Sequence, residues 1–179
     1  AVNTVLDAIS KIRDTSSAHD RTTVIEVMGR HCGDIALYAG LAGGAECVLI
    51  PEEPVDVNAV IRKIIEGSNR GKLHSIIIKA EGTEPSSEEL VKKIEHLTGK
   101  ETRLVVLSYL QRGGSPSLRD RLLATMCAAK AVELLKEDSP SKAIGTSEGK
   151  VTAYDLSEAL DFPKEVDKEM FNLIDVLSR

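Results

Sequence analysis

The stretch from Thr22 to Pro51 constrains the fold more than any other part of the chain. It opens with the β-branched run Thr22-Thr23-Val24-Ile25-Glu26-Val27 and ends that run in Met28-Gly29-Arg30. His31-Cys32-Gly33-Asp34 then leads into a helix of small residues that closes on Gly43-Gly44, before a second apolar run, Cys47-Val48-Leu49-Ile50-Pro51. Strand, loop, helix, strand implies a parallel pair joined by a right-handed crossover. Ligands of such sheets bind beyond the carboxyl ends of the strands, and Met28, Gly29 and Arg30 sit at one such end. Gly33 permits a tight turn there, and Arg30 can reach an anion in front of the sheet.

The rest of the chain continues the alternation. Val5, Leu6, Ile9 and Ile12 mark an amphipathic helix from about Asn3 to Arg13. Asp56 is placed to cap a helix with the apolar face Val57, Val60, Ile61, Ile64 and Ile65, ended by Gly67. Lys72 to Ala80 contains Ile76-Ile77-Ile78, as expected of a strand buried on both faces. Ser86 or Ser87 opens a helix through Leu97 that Gly99 closes. Thr102 to Leu110 reads as a strand and Gln111–Pro116 as a turn. A long Leu- and Ala-rich helix covers Leu118 to Leu135. Two weaker strands, Lys142–Thr146 and Lys150–Tyr154, flank a Glu148-Gly149 turn, and two short helices finish the chain. Strands alternating with helices predict an α/β fold of three layers, α/β/α, around a mostly parallel sheet.

Composition narrows the function classes. A chain of 179 residues is one domain or part of a larger one. Aromatic residues make up 3% and Trp is absent, so the core must be built from Ile, Leu, Val and Ala. A formal net charge of −5 disfavours nucleic acid as a partner, because phosphate backbones need a basic face. No apolar run approaches membrane-spanning length. Cys32, Cys47 and Cys127 have neither paired nor metal-ligand spacing and read as small core residues of a reducing, cytoplasmic protein. There is no signal peptide. There is also no initiator Met, and the helical pattern begins at once, so an amino-terminal part is expected to be missing.

Several arginines fall where strands or loops end: Arg13, Arg21, Arg30, Arg70, Arg103 and Arg112. Arginine offers a planar, permanently charged donor set suited to phosphate. Any one of them alone is also consistent with a solvated surface charge. Arg30 and Arg112 stand out because neighbouring glycines bring backbone N–H groups close to a bound anion. Each charge-assisted bond contributes about 1.5–3 kcal/mol, so two or three suffice for micromolar-to-millimolar binding of a sugar phosphate. Glu81, before Gly82, is either an acceptor for sugar hydroxyls or an exposed loop acid. Ser17, His19 and Asp20 do not argue a triad, since a triad is defined by geometry in space. Gly40, Gly43 and Gly44 do not match the dinucleotide fingerprint, and no P-loop is present.

Five segments carry a resemblance: Ile12–Arg21, Glu26–Glu46, Arg70-Gly71-Lys72-Leu73-His74, Glu101-Thr102-Arg103, and Leu110-Gln111-Arg112-Gly113-Gly114-Ser115-Pro116 on to Arg121. In this order the chain resembles the substrate-binding part of the bacterial ATP-dependent 6-phosphofructokinase family. The resemblance implies transfer of the γ-phosphoryl group of Mg-ATP to the 1-hydroxyl of fructose 6-phosphate. It implies that Met28, Gly29 and Arg30 line the sugar site, with Arg30 also stabilising the transferring phosphoryl group. Glu81 would take sugar hydroxyls, and Arg103 and Arg112 the 6-phosphate, with Tyr109, Leu110 and Gln111 beside them. Arg21 would reach into a neighbouring subunit of a homotetramer. A second, allosteric anion site for ADP or phosphoenolpyruvate would use Arg13, Gly44, Ala45, Glu46, Arg70, Lys72, Leu73 and His74. Glu46 would meet the Mg2+ of ADP.

The chain departs from the family at Leu107-Ser108-Tyr109-Leu110-Gln111-Arg112, where relatives usually carry His at the position of Tyr109. The family's Gly-Gly-Asp-Gly-Ser nucleotide segment and Thr-Ile-Asp-Asn-Asp base segment do not occur in these residues. The sheet is therefore expected to be incomplete without an amino-terminal nucleotide-binding part. The expected organisation is a sugar-phosphate subdomain over 1–110, a segment 111–154 that packs on the nucleotide part, and returning helices over 155–179. Two rivals share the pattern: a pyrophosphate-dependent phosphofructokinase, and a non-catalytic sugar-phosphate-sensing half-domain. Pyrophosphate users usually follow Met-Gly-Arg-X with Ala-Gly-Trp, whereas this chain has Cys32-Gly33-Asp34.

Overall fold

A computed structural model describes residues 1–16, 20–137, 139, 141–147, 149–162 and 165–178. Ser17 and His19, and Glu148 of the expected turn, lie outside the described residues. The chain divides into two compact units, Ala1–Gly113 with Glu165–Arg179, and Gly114–Lys164.

The first unit holds α1 (Val2–Ser16), β1 (Arg21–Val27), α2 (Asp34–Gly43), β2 (Cys47–Leu49), α3 (Val57–Asn69), β3 (His74–Ala80), α4 (Ser87–Thr98) and β4 (Glu101–Val106). The strands form one parallel sheet in the order β2-β3-β1-β4. Successive side chains of a strand point to opposite faces, so β3 supplies both layers. Ile76 and Ile78 join Val5, Ile9, Leu37 and Ile174 on one face, and Ile77 joins Val60, Ile64, Leu90 and Ile94 on the other. That is the three-layer arrangement expected from the alternating pattern. All three isoleucines are fully buried, which is why their run reads as apolar without a period of two.

Helix ends follow the capping residues. Asp56 accepts from the backbone N–H groups of Asn58 at 2.9 Å and Ala59 at 3.2 Å, and Ser86 accepts from Glu89. Gly99 closes α4 in the left-handed conformation. Gly67 does not end α3 as expected. It is buried within the helix, which runs on to Asn69, and the left-handed turn falls at Gly71.

The strand expected to reach Leu110 stops at Val106. Its partner β1 ends at Val27, so beyond the bond from Leu107 N–H to the Glu26 carbonyl no ladder remains. The backbone turns into a short 3-10 helix, Ser108–Arg112. Leu107 is buried, whereas Tyr109 and Leu110 are exposed, so the apolar run spans two environments. The final helix of this unit, named here α7, is Lys168–Leu177 and places Ile174 in the core.

The second unit contains α5 (Leu118–Lys136), an antiparallel hairpin of β5 (Lys142–Ser147) and β6 (Lys150–Asp155), and α6 (Leu156–Asp161). A reciprocal capping box between Ser117 and Asp120 opens α5, and those bonds hold the Asp120 carboxyl below its ordinary value. Its seams fall after Gly113 and after Lys164, against the expected 110 and 154. The edge-to-face contact of Tyr154 with Phe162, centroids 5.1 Å apart, ties the end of α6 to the hairpin. Among the described residues no helix is long and apolar enough to cross a membrane.

Candidate functional site

A cleft of about 600 Å3 opens at the carboxyl ends of β1 and β3. It is lined by Met28, Gly29, Arg30, Cys32, Asp34, Ile35, Glu81 and Arg112. Parallel strand ends leave such a crevice because the chain turns away from the sheet there. Two loops meet at its base. Glu81 N–H donates to the Val27 carbonyl at 2.8 Å, and Gly82 N–H donates to the Gly29 carbonyl at 3.1 Å. The contact needs glycine: a Cβ on Gly82 would lie 1.8 Å from the Arg30 carbonyl oxygen. Gly29 has a φ of 145°, open to glycine, and its N–H faces the Glu81 carboxylate at 3.4 Å.

Gln111 supports the cleft from behind. It is buried, its amide oxygen accepts from Met28 N–H at 3.3 Å, and its amide nitrogen donates to the Ser108 carbonyl at 3.0 Å. Glu52, from the carboxyl end of β2, accepts from Gly33 N–H at 2.8 Å and fixes the loop before α2. Arg30, Glu81 and Arg112 are left exposed at the mouth. The arrangement offers two guanidinium groups, Arg30 and Arg112, and two carboxylates, Glu81 and Asp34, around a space the size of a small phosphorylated ligand. Burial pushes the Cys32 thiol above its ordinary value, so it is a neutral wall of the cleft.

Arg21 and Arg103 do not line this cleft. They stand together elsewhere, at the amino ends of β1 and β4, sharing Glu101: Arg103 Nε donates to it at 2.6 Å, and Arg21 Nη2 is 3.8 Å away. Tyr109 and Leu110 lie on the exposed 3-10 helix and are likewise outside the cleft lining.

A third cluster gathers the residues expected to hold an effector. Arg13 donates to the carbonyls of Gly43 and Gly44 at the end of α2. Glu46 accepts from Ile76 N–H at 2.5 Å and lies 3.8 Å from Lys72 Nζ. Arg70 and Lys72 both donate to the Ser178 carbonyl at 3.3 Å. Gly44, Ala45, Glu46 and Lys72 line a pocket of about 50 Å3. Leu73 is exposed and His74 is half-buried. Among the described residues no group of three or more His, Cys, Asp or Glu side chains could hold a metal ion, and Glu46 is a single carboxylate.

Sequence reasoning missed Cys32, Asp34 and Ile35 as cleft residues, although all three follow directly on Arg30. It also missed Lys79. This side chain is fully buried, in register with Glu26 on the neighbouring strand, and its ammonium donates to the Ala80 carbonyl at 3.4 Å. Burial pushes its pKa down, with Glu26 foremost among the carboxylates that oppose the shift. Glu26 in turn accepts from the Ser87 hydroxyl. The signal was a lysine closing a run of three isoleucines.

Comparison with known proteins gives these sites a family. The family described as phosphofructokinase matches residues 1–135. An ATP-dependent 6-phosphofructokinase of Clostridium acetobutylicum is 52% identical over 99% of this chain and 56% of its own length. The ATP-dependent 6-phosphofructokinase 1 of Clostridium perfringens is 49% identical over the whole chain, again 56% of its length. The chain thus spans about half of the curated relatives it matches, their C-terminal half. A solved phosphofructokinase of Saccharomyces cerevisiae superposes on 98% of the chain with a TM-score of 0.85 at 30% identity, and covers 24% of that protein. A pyrophosphate-dependent phosphofructokinase of Marinobacter aquaeolei shares the fold, with a TM-score of 0.76 at 22% identity over 94% of this chain and 47% of its own. On these grounds the chain belongs to the phosphofructokinase family.

Proposed function

We propose that this chain is the substrate- and effector-binding part of an ATP-dependent 6-phosphofructokinase, which converts fructose 6-phosphate to fructose 1,6-bisphosphate. The reading rests above all on the convergence of Met28, Gly29, Arg30, Glu81 and Arg112 in one cleft at the carboxyl ends of parallel strands. Relatives near 50% identity carry the ATP-dependent name, which favours ATP over pyrophosphate as donor.

Phosphoryl transfer depends chiefly on positioning and on stabilising charge that develops in the transition state. Here Glu81 accepts from sugar hydroxyls, Arg112 grips the 6-phosphate, and Arg30 stabilises charge on the transferring group. With the nucleotide bound, magnesium would supply charge neutralisation at its phosphates, away from Arg30, Glu81 and Arg112. Arg21 serves the 6-phosphate site of a neighbouring subunit in a homotetramer. Arg103 shares Glu101 with Arg21, so it goes with Arg21 rather than with Arg112. Arg13, Glu46, Arg70 and Lys72 form the cationic and magnesium-facing parts of an ADP or phosphoenolpyruvate site. A glycolytic, cytoplasmic setting follows from that chemistry.

The test uses a chimaera in which the amino-terminal part of the Clostridium acetobutylicum relative precedes this chain. Arg112→Ala is expected to raise KM for fructose 6-phosphate roughly tenfold or more, the loss of one charge-assisted contact, while KM for ATP stays put. An unchanged KM for fructose 6-phosphate would overturn the assignment of the cleft.

A further inference from the structure

The amino ends of β1 and β4 carry a small lattice of charge. Arg21 and Glu101 are direct partners in the parallel register. Asp20 and Lys100 precede them and pair at 2.5 Å. Sliding one strand by a residue would set Asp20 against Glu101 in one direction, or Arg21 against Lys100 in the other, so like charges oppose a slip either way. With Lys100 engaged by Asp20, the Glu101 carboxylate divides between two arginines. Its Oε1 lies 2.6 Å from Arg103 Nη2 and accepts from Arg103 Nε at 2.6 Å, while its Oε2 faces Arg21 Nη2 at 3.8 Å.

Stability does not account for this arrangement. The Glu101 and Arg103 side chains are 44% and 65% exposed, and pairs so exposed contribute about 0–1 kcal/mol. Geometry suggests another use. Glu101 takes Arg103 along one side edge, through Nε and Nη2. Among the described residues Arg103 Nη1 has no hydrogen-bond partner, and Arg21 Nε is buried without one. Two guanidinium charges less one carboxylate leave the trio with one positive charge and with unspent donors.

We infer that Glu101 is a positioning residue, a single carboxylate that holds Arg21 and Arg103 together as a two-armed clamp for a phosphate group. The inference rests on the reading above, which gives both arginines to a phosphate. It opposes a simpler role for Glu101 as an internal anion that a phosphate must displace, and the two roles differ in sign. Removing a competitor tightens phosphate binding, whereas removing a positioning group weakens it.

The experiment uses this chain with Glu101→Gln and Glu101→Asp, observing arginine Nε–H signals by NMR with and without inorganic phosphate. In the unliganded Gln variant the Arg103 signal becomes mobile, while the melting temperature barely moves. Phosphate shifts Arg21 and Arg103 along one binding curve in the parent chain. In the Gln variant its apparent Kd rises at least about threefold, the equivalent of one exposed ion pair. Glu101→Asp restores part of the loss. Equal or tighter phosphate binding by the Gln variant overturns the inference, as does an Arg103 signal that stays ordered. If phosphate moves neither arginine in the parent chain yet Arg103 is freed by the Gln change, Glu101's hold stands and the phosphate reading of the two arginines fails.

Discussion

Tyr109 is the single side chain whose proposed contact with a phosphate is most readily tested. It stands where the family usually places His, yet it is 79% exposed on a 3-10 helix, one residue past Ser108, whose φ is +44°. Its phenol can donate one neutral hydrogen bond, whereas a protonated imidazole adds a charge. A charge-assisted bond contributes about 1.5–3 kcal/mol. Tyr109→His in the chimaera is therefore expected to lower KM for fructose 6-phosphate roughly tenfold, more below pH 6.5 than above it, because histidine is charged there. Steady-state kinetics at two pH values checks this. An unchanged KM at both would mean that position 109 does not meet the phosphate. The signal for Arg112 was the glycine beside it, although it sits at the end of a 3-10 helix and not of a strand, and Glu81 at the end of β3 was left open between a cleft acceptor and a loop acid. The pairing of Arg103 with Arg21 was not, since it depends on which strands are neighbours, and nothing in Glu101-Thr102-Arg103 states that β4 lies beside β1.

Elements were read well where one physical cause dominated and poorly where two competed. The strand–helix–strand order of β1, α2 and β2, the Asp56 cap and the buried isoleucine strand follow from periodicity, capping and β-branching. The expected pairing of β1 with β2 does not form: β3 lies between them, and order along the chain does not state which strands are neighbours. The strand through Leu110 fails because an apolar run also fits a buried Leu107 followed by exposed residues. Strand β3 holds the least legible choice, Lys79, a full charge inside a layer otherwise built from Ile77, Val60 and Leu90. Burial lowers its pKa from the ordinary 10.5. Between the lowered folded value and 10.5 the unfolded chain binds more protons than the folded one, so stability rises with pH through that window. In chemical denaturation of the chain from pH 7 to 10.5, Lys79→Met is expected to make the slope of stability against pH less positive than in the parent, while the buried Cys47 thiol, pushed up to about 12, lowers stability in both proteins above pH 9. Identical slopes in the two proteins would mean that Lys79 keeps its proton equally well folded and unfolded.

At the scale of the molecule, binding and chemistry separate. On the proposed reading the cleft takes a sugar phosphate, but transfer also requires a nucleotide held in line and a group to take the proton from the attacking hydroxyl. Neither the Gly-Gly-Asp-Gly-Ser nor the Thr-Ile-Asp-Asn-Asp segment occurs in these residues, and the chain spans 56% of its Clostridium acetobutylicum relative. The second unit fits the same division: Leu118, Leu122, Leu123 and Met126 of α5 are 75%, 54%, 41% and 48% exposed, more apolar surface than one helix normally leaves in water. This chain alone, given Mg-ATP and fructose 6-phosphate, is therefore expected to make no fructose 1,6-bisphosphate above background in an aldolase-coupled assay. The chimaera with the relative's amino-terminal part is expected to turn over under the same conditions. Activity that co-purifies with this chain alone and disappears in its Arg30→Ala variant would place the nucleotide site and the base within these residues and overturn the division. Turnover restored only by the added part locates the missing chemistry there and leaves sugar recognition to the cleft at the ends of β1 and β3.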